Sequence, residues 1–184
     1  MKKILMIGPS LIALLVFGCG SSDTTQEHNS GTQAAAQSTT TQSKVPASTG
    51  TTVSFAAYDV DGFLHQSDEW IGKQPVVINF WGTWCPPCRA EIPDLVRIYN
   101  DYRDKGIELV GIAVRDQPNN VKQFAGKNGM DWPMLMVDEN VIAGFPDIRN
   151  VPTTIFFDRN GNEVQRFVGG RDYETFKQAF EQIL

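Results

Sequence analysis

The chain has 184 residues, 41% hydrophobic and 20% charged, which is enough apolar material for one packed domain with sequence to spare. A formal net charge of −5 leaves no basic surplus to hold a nucleic-acid backbone and argues against that class of partner. Cys19, Cys85 and Cys88 are too few for the disulfide framework of a small secreted domain.

The chain opens on Lys2 and Lys3, followed by a mostly apolar, uncharged run from Ile4 to Phe17. That pattern fits a secretory signal and is shorter than the roughly 20 residues a membrane-spanning helix needs. Val16-Phe17-Gly18-Cys19 resembles the lipobox of bacterial lipoproteins, with the small Gly18 before the cut. The resemblance implies that residues 1–18 are removed and that Cys19 is acylated, holding the chain to a membrane outside the cytoplasm. An ordinary signal peptide, with Cys19 discarded or left as a free thiol, is the alternative. From Gly20 to about Thr52 the sequence is rich in Ser, Thr, Gln, Ala and Gly and cannot bury a core, so it reads as a disordered tether. Such a coil would span on the order of 30 Å. His28, alone within it, is given no metal role.

The folded domain is expected from Val53 to Leu184. Val53 to Tyr58 carries a short strand signal, and Asp59 to Gln74 reads as loop with one helical turn. His65 lies in that loop with no partner evident in the sequence and is assigned no role. Pro75 to Trp81 is a β-branched and aromatic run, the pattern of a central strand buried on both faces. Pro87 to about Lys105 reads as a helix, with Ile92, Leu95, Val96, Tyr99 and Tyr102 on one face and Gly106 as its stop. Ile107 to Val114 is a second buried strand, Asn119 to Asn128 a helix, Met134 to Val137 a short strand and Asn140 to Phe145 a helical insertion. Thr153 to Phe157 and Glu163 to Val168, joined through Gly161, form an antiparallel hairpin. Tyr173 to Leu184 closes the chain as an amphipathic helix. Strands alternating with helices predict an α/β fold, with a mixed, mostly parallel central sheet covered on both faces.

Chemistry concentrates at Trp84-Cys85-Pro86-Pro87-Cys88, a CxxC lying between a buried strand and a helix. The unpaired N–H groups of a first helical turn and the helix dipole favour a thiolate there and lower its pKa from about 8.5. Pro86 and Pro87 are tolerated because that turn needs no N–H donors from them. Cys85, ahead of the helix, is read as the more exposed thiol and the nucleophile. Cys88, inside the first turn, is read as the thiol that resolves a mixed disulfide.

The stretch Asn79-Phe80-Trp81-Gly82-Thr83-Trp84-Cys85-Pro86-Pro87-Cys88 resembles the active-site strand and loop of the TlpA/ResA-like branch of the thioredoxin superfamily. Pro93 matches the proline that kinks the first helix of that superfamily, Val151-Pro152-Thr153 its cis-proline loop, and Gly169-Gly170 its late glycine turn. The likeness spans Val53 to Leu184. It implies a thioredoxin-like fold with a cis Pro152 against the cysteine pair, blocking metal approach and leaving the Val151 backbone to bind an extended substrate. A trans Pro152 opening a strand is the alternative. Glu91, three residues after Cys88, stands where the ResA-like subgroup has a glutamate that tunes the thiols, although a solvated helix glutamate would read the same. Asn79 stands where thioredoxin has a buried acid and cannot exchange a proton; it serves equally as a core amide. Trp84 is expected to shield the pair or contact substrate, Trp81 equally to belong to the core, and Arg89 to be solvated.

The function these expectations favour is reduction of disulfides in exported proteins, with haem-free cytochrome c as the family's best-known target. It needs a membrane thiol as electron donor and no cofactor or metal beyond the Cys85–Cys88 pair. An oxidase or isomerase using the same cysteines, a copper-binding module, a thiol peroxidase and a purely structural lipoprotein are the alternatives.

Overall fold

The computed structural model describes residues 53–184. The expected signal peptide and tether, with Cys19 and His28, lie outside the described residues. No helix among the described residues is long and apolar enough to cross a membrane.

The first strand is shorter than expected, β1 (Ala56–Tyr58), and it pairs antiparallel with β2 (Leu64–Gln66), which the sequence reading took as loop. The turn between them is closed by the Asp59 carboxylate, which accepts from the backbone N–H groups of Asp61 and Phe63, each at 2.9 Å. The expected helical turn follows as a 3-10 turn over Ser67–Glu69.

Every residue of β3 (Val76–Trp81) is buried. It runs parallel to β4 (Glu108–Ala113), which runs parallel to β5 (Met134–Met136). On its other side β3 pairs antiparallel with β6 (Thr153–Phe157), which forms the predicted hairpin with β7 (Glu163–Val168). The order is β5-β4-β3-β6-β7, so parallel and antiparallel pairings are equal in number and the sheet is evenly mixed.

The alternation of β3 divides the core. Val77 and Trp81 face a cluster built with α1 (Pro86–Tyr102), α2 (Pro118–Asn128) and α4 (Tyr173–Ile183), including Leu95, Val121 and Phe180. Val76, Ile78 and Phe80 face a second cluster, covered by Phe55, Trp70, Val141 and Phe145 from the β1–β2 region and the short α3 (Glu139–Gly144) with its flank. Burying a Leu or Phe side chain stabilises a fold by about 1.5–3 kcal/mol, so these two layers hold β3 rigidly and deliver its C-terminal end to the edge of the sheet. The cysteine loop begins there.

Candidate active site

Cys85 is the N-cap of α1, with extended backbone at φ −91° and ψ 108°. Pro86 and Pro87 occupy the first helical positions, where no N–H donor is lost. Cys85 and Cys88 are joined as a disulfide with their Cα atoms 5.3 Å apart. The Cys88 backbone N–H donates to Cys85 Sγ at 3.3 Å, so a free donor of the helix terminus is aimed at the sulfur where a thiolate would form. Cys85 is 2% exposed and Cys88 fully buried. Both sulfur-bearing residues are thus buried in the disulfide form, Cys85 included, although the sequence reading took it as the exposed thiol.

The roof over the pair is the Val151–Pro152 loop, whose peptide bond is cis. The Val151 carbonyl oxygen lies 3.7 Å from Cys85 Sγ, a contact that a Cys85 thiol could make as a donor. The Val151 N–H makes no backbone hydrogen bond to another described residue, which leaves a half-buried backbone edge beside the disulfide.

Asn79 on β3 and Glu91, one helical turn after Cys88, are both buried. Asn79 Nδ2 donates to Glu91 Oε1 at 3.1 Å and to Thr154 Oγ1 at 2.9 Å. Glu91 Oε2 accepts the backbone N–H of Arg171 at 3.2 Å. Burial pushes the Glu91 carboxyl up from 4.5 to about 7, while the Asn79 and Arg171 contacts hold it down only in part. The solvated alternative for Glu91 is therefore excluded: it stands one helical turn after Cys88 and is 3% exposed.

Trp84 is 45% exposed at the rim, where its indole N–H donates to the Val114 carbonyl at 2.9 Å. The indole lies so close to Gly82 that a Cβ there would come within 2.6 Å of Nε1. The Thr83 N–H donates to Asp116 Oδ2 at 2.7 Å, fastening the loop to the end of β4. Trp81 is fully buried and belongs to the core, and Arg89 is exposed. His65 lies outside the site, and its partners are supplied by folding: Glu69 at 2.9 Å, Asp59 at 3.3 Å and a stacked Trp70.

The site thus gathers Cys85, Cys88 and Pro152, all buried, with the half-buried Val151, and joins to them the buried pair Asn79 and Glu91. Thr154 and Arg171 were missed by sequence reasoning. Thr154 could have been found from the sheet register, which sets it opposite Asn79; Arg171 carries no local signal.

Residues 40–183 match the Redoxin family. The thiol-disulfide oxidoreductase ResA of Geobacillus thermodenitrificans is 32% identical over 129 residues, covering 70% of this chain and 74% of that protein. The ResA of Halalkalibacterium halodurans is 32% identical over 133 residues, with 71% and 74% covered. Among solved structures, a thiol:disulfide interchange protein of the thioredoxin family from Chlorobium tepidum superposes with a TM-score of 0.65 at 35% identity, covering 71% of this chain and 92% of that one. DsbF from Mycobacterium tuberculosis, solved in mixed oxidised and reduced forms, gives a TM-score of 0.65 at 25% identity, covering 72% and 97%. A CxxC disulfide capping a helix under a cis-proline, on a fold shared with these proteins, is the working centre of a thiol–disulfide oxidoreductase, and the chain belongs to the redoxin family, related to its ResA-like members.

Proposed function

We propose that the protein is a lipid-anchored, extracytoplasmic reductant of disulfides in exported proteins. The Cys85 thiolate attacks one sulfur of the target disulfide, forming a mixed disulfide and releasing the other target sulfur as a thiolate that takes up a proton. Cys88 then attacks Cys85 Sγ, freeing the second target thiol and leaving the Cys85–Cys88 disulfide. Two electrons pass from the pair to the target, and a membrane thiol donor restores them. Val151 and Pro152 hold the extended target segment, and Trp84 bounds its approach. Haem-free cytochrome c is the target class proposed. The signal-like N-terminus and the lipobox-like Cys19 support the anchored, exported setting.

The observation that carries the direction is the buried Glu91 on the Cys88 face of α1. Strong oxidants of this fold owe their potential to a stabilised reduced form, in which a thiolate is favoured. A carboxylate in the same buried environment opposes a thiolate and favours the disulfide, which makes the dithiol the better electron donor. The test is the reduction potential of the Cys85–Cys88 pair at neutral pH. A value at or below about −220 mV supports the reductant, and a value near about −120 mV assigns the opposite direction.

A further inference from the structure

Beside the cysteine loop runs a groove of about 640 Å³. Trp84 and Val151 bound it at the redox end, and Phe145 and Ile148 are among the apolar side chains along its length. Among the described residues its only charged lining residues are Arg115 and Arg149.

Neither guanidinium makes a salt bridge among the described residues, and their neighbouring acids are engaged elsewhere. Asp116, next to Arg115, accepts the backbone N–H groups of Thr83 and Gln117 at 2.7 and 2.9 Å. Asp147, two residues before Arg149, pairs with Arg166, which also holds Glu163. In a chain of net charge −5, two unpaired cations on one apolar groove are a local reversal of sign.

The backbone adds an independent observation. Arg115 is the one non-glycine among the described residues with a positive φ, at 50°. Cβ sterics penalise that conformation, which glycine would adopt freely. The arginine there carries its guanidinium to 5.1 Å from the centroid of the Trp84 ring, at the mouth of the groove. Strain of this kind persists where the surroundings over-determine it, and it clusters at ligand clamps.

We propose that Arg115 and Arg149 determine specificity. They select protein disulfides whose flanking segment carries an acidic side chain two residues from a large apolar one. The inference rests on the reductase reading and names its substrate class. A segment extended along the free edge of Val151 turns alternate side chains towards the groove, where the apolar one meets Phe145 and Ile148 and the carboxylate meets the arginines. Complementary charge of this sort acts mainly on encounter and on discrimination between partners.

The test uses the full chain, reduced and freed of excess thiol. Two peptides each carry one cysteine as a mixed disulfide with 2-thiopyridine and differ only in a flanking Leu-Ser-Asp or Leu-Ser-Lys, which puts the two tested side chains on one face of an extended segment. Attack by Cys85 on the peptide sulfur releases 2-thiopyridone, which is followed by its absorbance. Resolution by Cys88 then frees the peptide thiol. The acidic peptide is expected to react about tenfold faster at low ionic strength, and the preference is expected to collapse in about 0.5 M salt. It is also expected to fall to near unity in R115G/R149Q, in which the glycine suits the backbone at position 115. A separate R149Q variant should lose part of the preference. Equal rates for the two peptides in the unsubstituted protein, or a preference that survives in R115G/R149Q, would overturn the proposal. 2-Hydroxyethyl disulfide, too small to fill the groove, separates the two levels. If it is reduced while the peptides are not distinguished, only the specificity fails. If neither it nor either peptide is reduced, the reductase reading fails as well.

Discussion

Asn79 and Glu91 meet at the interface of β3 and α1, the amide Nδ2 donating to the carboxyl Oε1 at 3.1 Å with both side chains buried. The same nitrogen reaches Thr154, and the other carboxyl oxygen is held by the Arg171 N–H. An ionisable group on α1 is thus held one turn after Cys88 by two contacts, one from β3 and one from the backbone before α4. It receives two hydrogen bonds, too few to offset the loss of water around a charge.

That arrangement sets a pH dependence of stability. The folded state raises the Glu91 carboxyl from 4.5 to about 7, chiefly by burial, so it binds the proton more tightly than the unfolded chain. Stability should therefore fall as pH rises from about 4.5 to about 7 and then level off. Glu91→Gln should match the unsubstituted protein in acid and exceed it by on the order of 1–3 kcal/mol at about pH 8. Urea unfolding of both proteins across this range measures the difference. A flat difference would contradict the buried carboxyl.

The cysteines should separate in a trapping experiment. Cys88→Ser retains the proposed nucleophile and loses the resolving thiol, so it should accumulate a mixed disulfide with a disulfide-bearing peptide. Cys85→Ser leaves Cys88, which is fully buried, and should trap little. Non-reducing gels or intact-mass spectra read both outcomes, and equal trapping by the two variants would reverse or remove the assigned roles.

Gly111 on β4 is needed for space. A Cβ there would lie 2.7 Å from Met134 Sδ and 3.1 and 3.2 Å from the indole nitrogens of Trp81 and Trp132, all three residues being buried. Two rigid rings leave little room to relax, so Gly111→Ala should cost about 1–3 kcal/mol. A lower thermal midpoint with an unchanged reduction potential is the expected result, since the residue lies in the sheet rather than at the sulfurs.

The β1–β2 hairpin should loosen in mild alkali. Partial burial pulls the His65 imidazolium down, but hydrogen bonds and charges from Glu69 and Asp59 outweigh it and lift the group above its ordinary 6.5. Its contribution is fully present below about 6.5 and is lost as pH rises through the higher folded value. The cluster is partly solvated, so the effect should stay within about 1 kcal/mol. Hydrogen exchange of the hairpin amides, corrected for the intrinsic pH dependence, should show protection falling above neutrality. In His65→Ala that fall should be absent.

Local patterns made much of the fold legible. The buried run of β3, the apolar face of α1, the turn at Gly161 and the amphipathic face of α4 each repeat within a few residues, and both strands of the β6–β7 hairpin lie at the predicted bounds. The β2 strand was not legible. It has three residues and, among the described residues, pairs only with β1 across a side-chain-closed turn, and the hairpin is tied to a distant strand by an isolated bridge from Asp59, just after β1, to Leu135.

The sequence by itself determined the chemistry: two cysteines at a helix start after a buried strand, with a proline loop of recognisable form later in the chain. Tertiary structure decided what surrounds that chemistry. The buried Glu91 is met by the backbone N–H of Arg171, 80 residues away, and Asn79 is oriented by Thr154, 75 residues away. Arg115 and Arg149 share a groove only because the end of β4 and the loop before β6 converge beside Trp84. Burial and charge pairing depend on distances in space, and separations of this length leave no periodic trace along the chain.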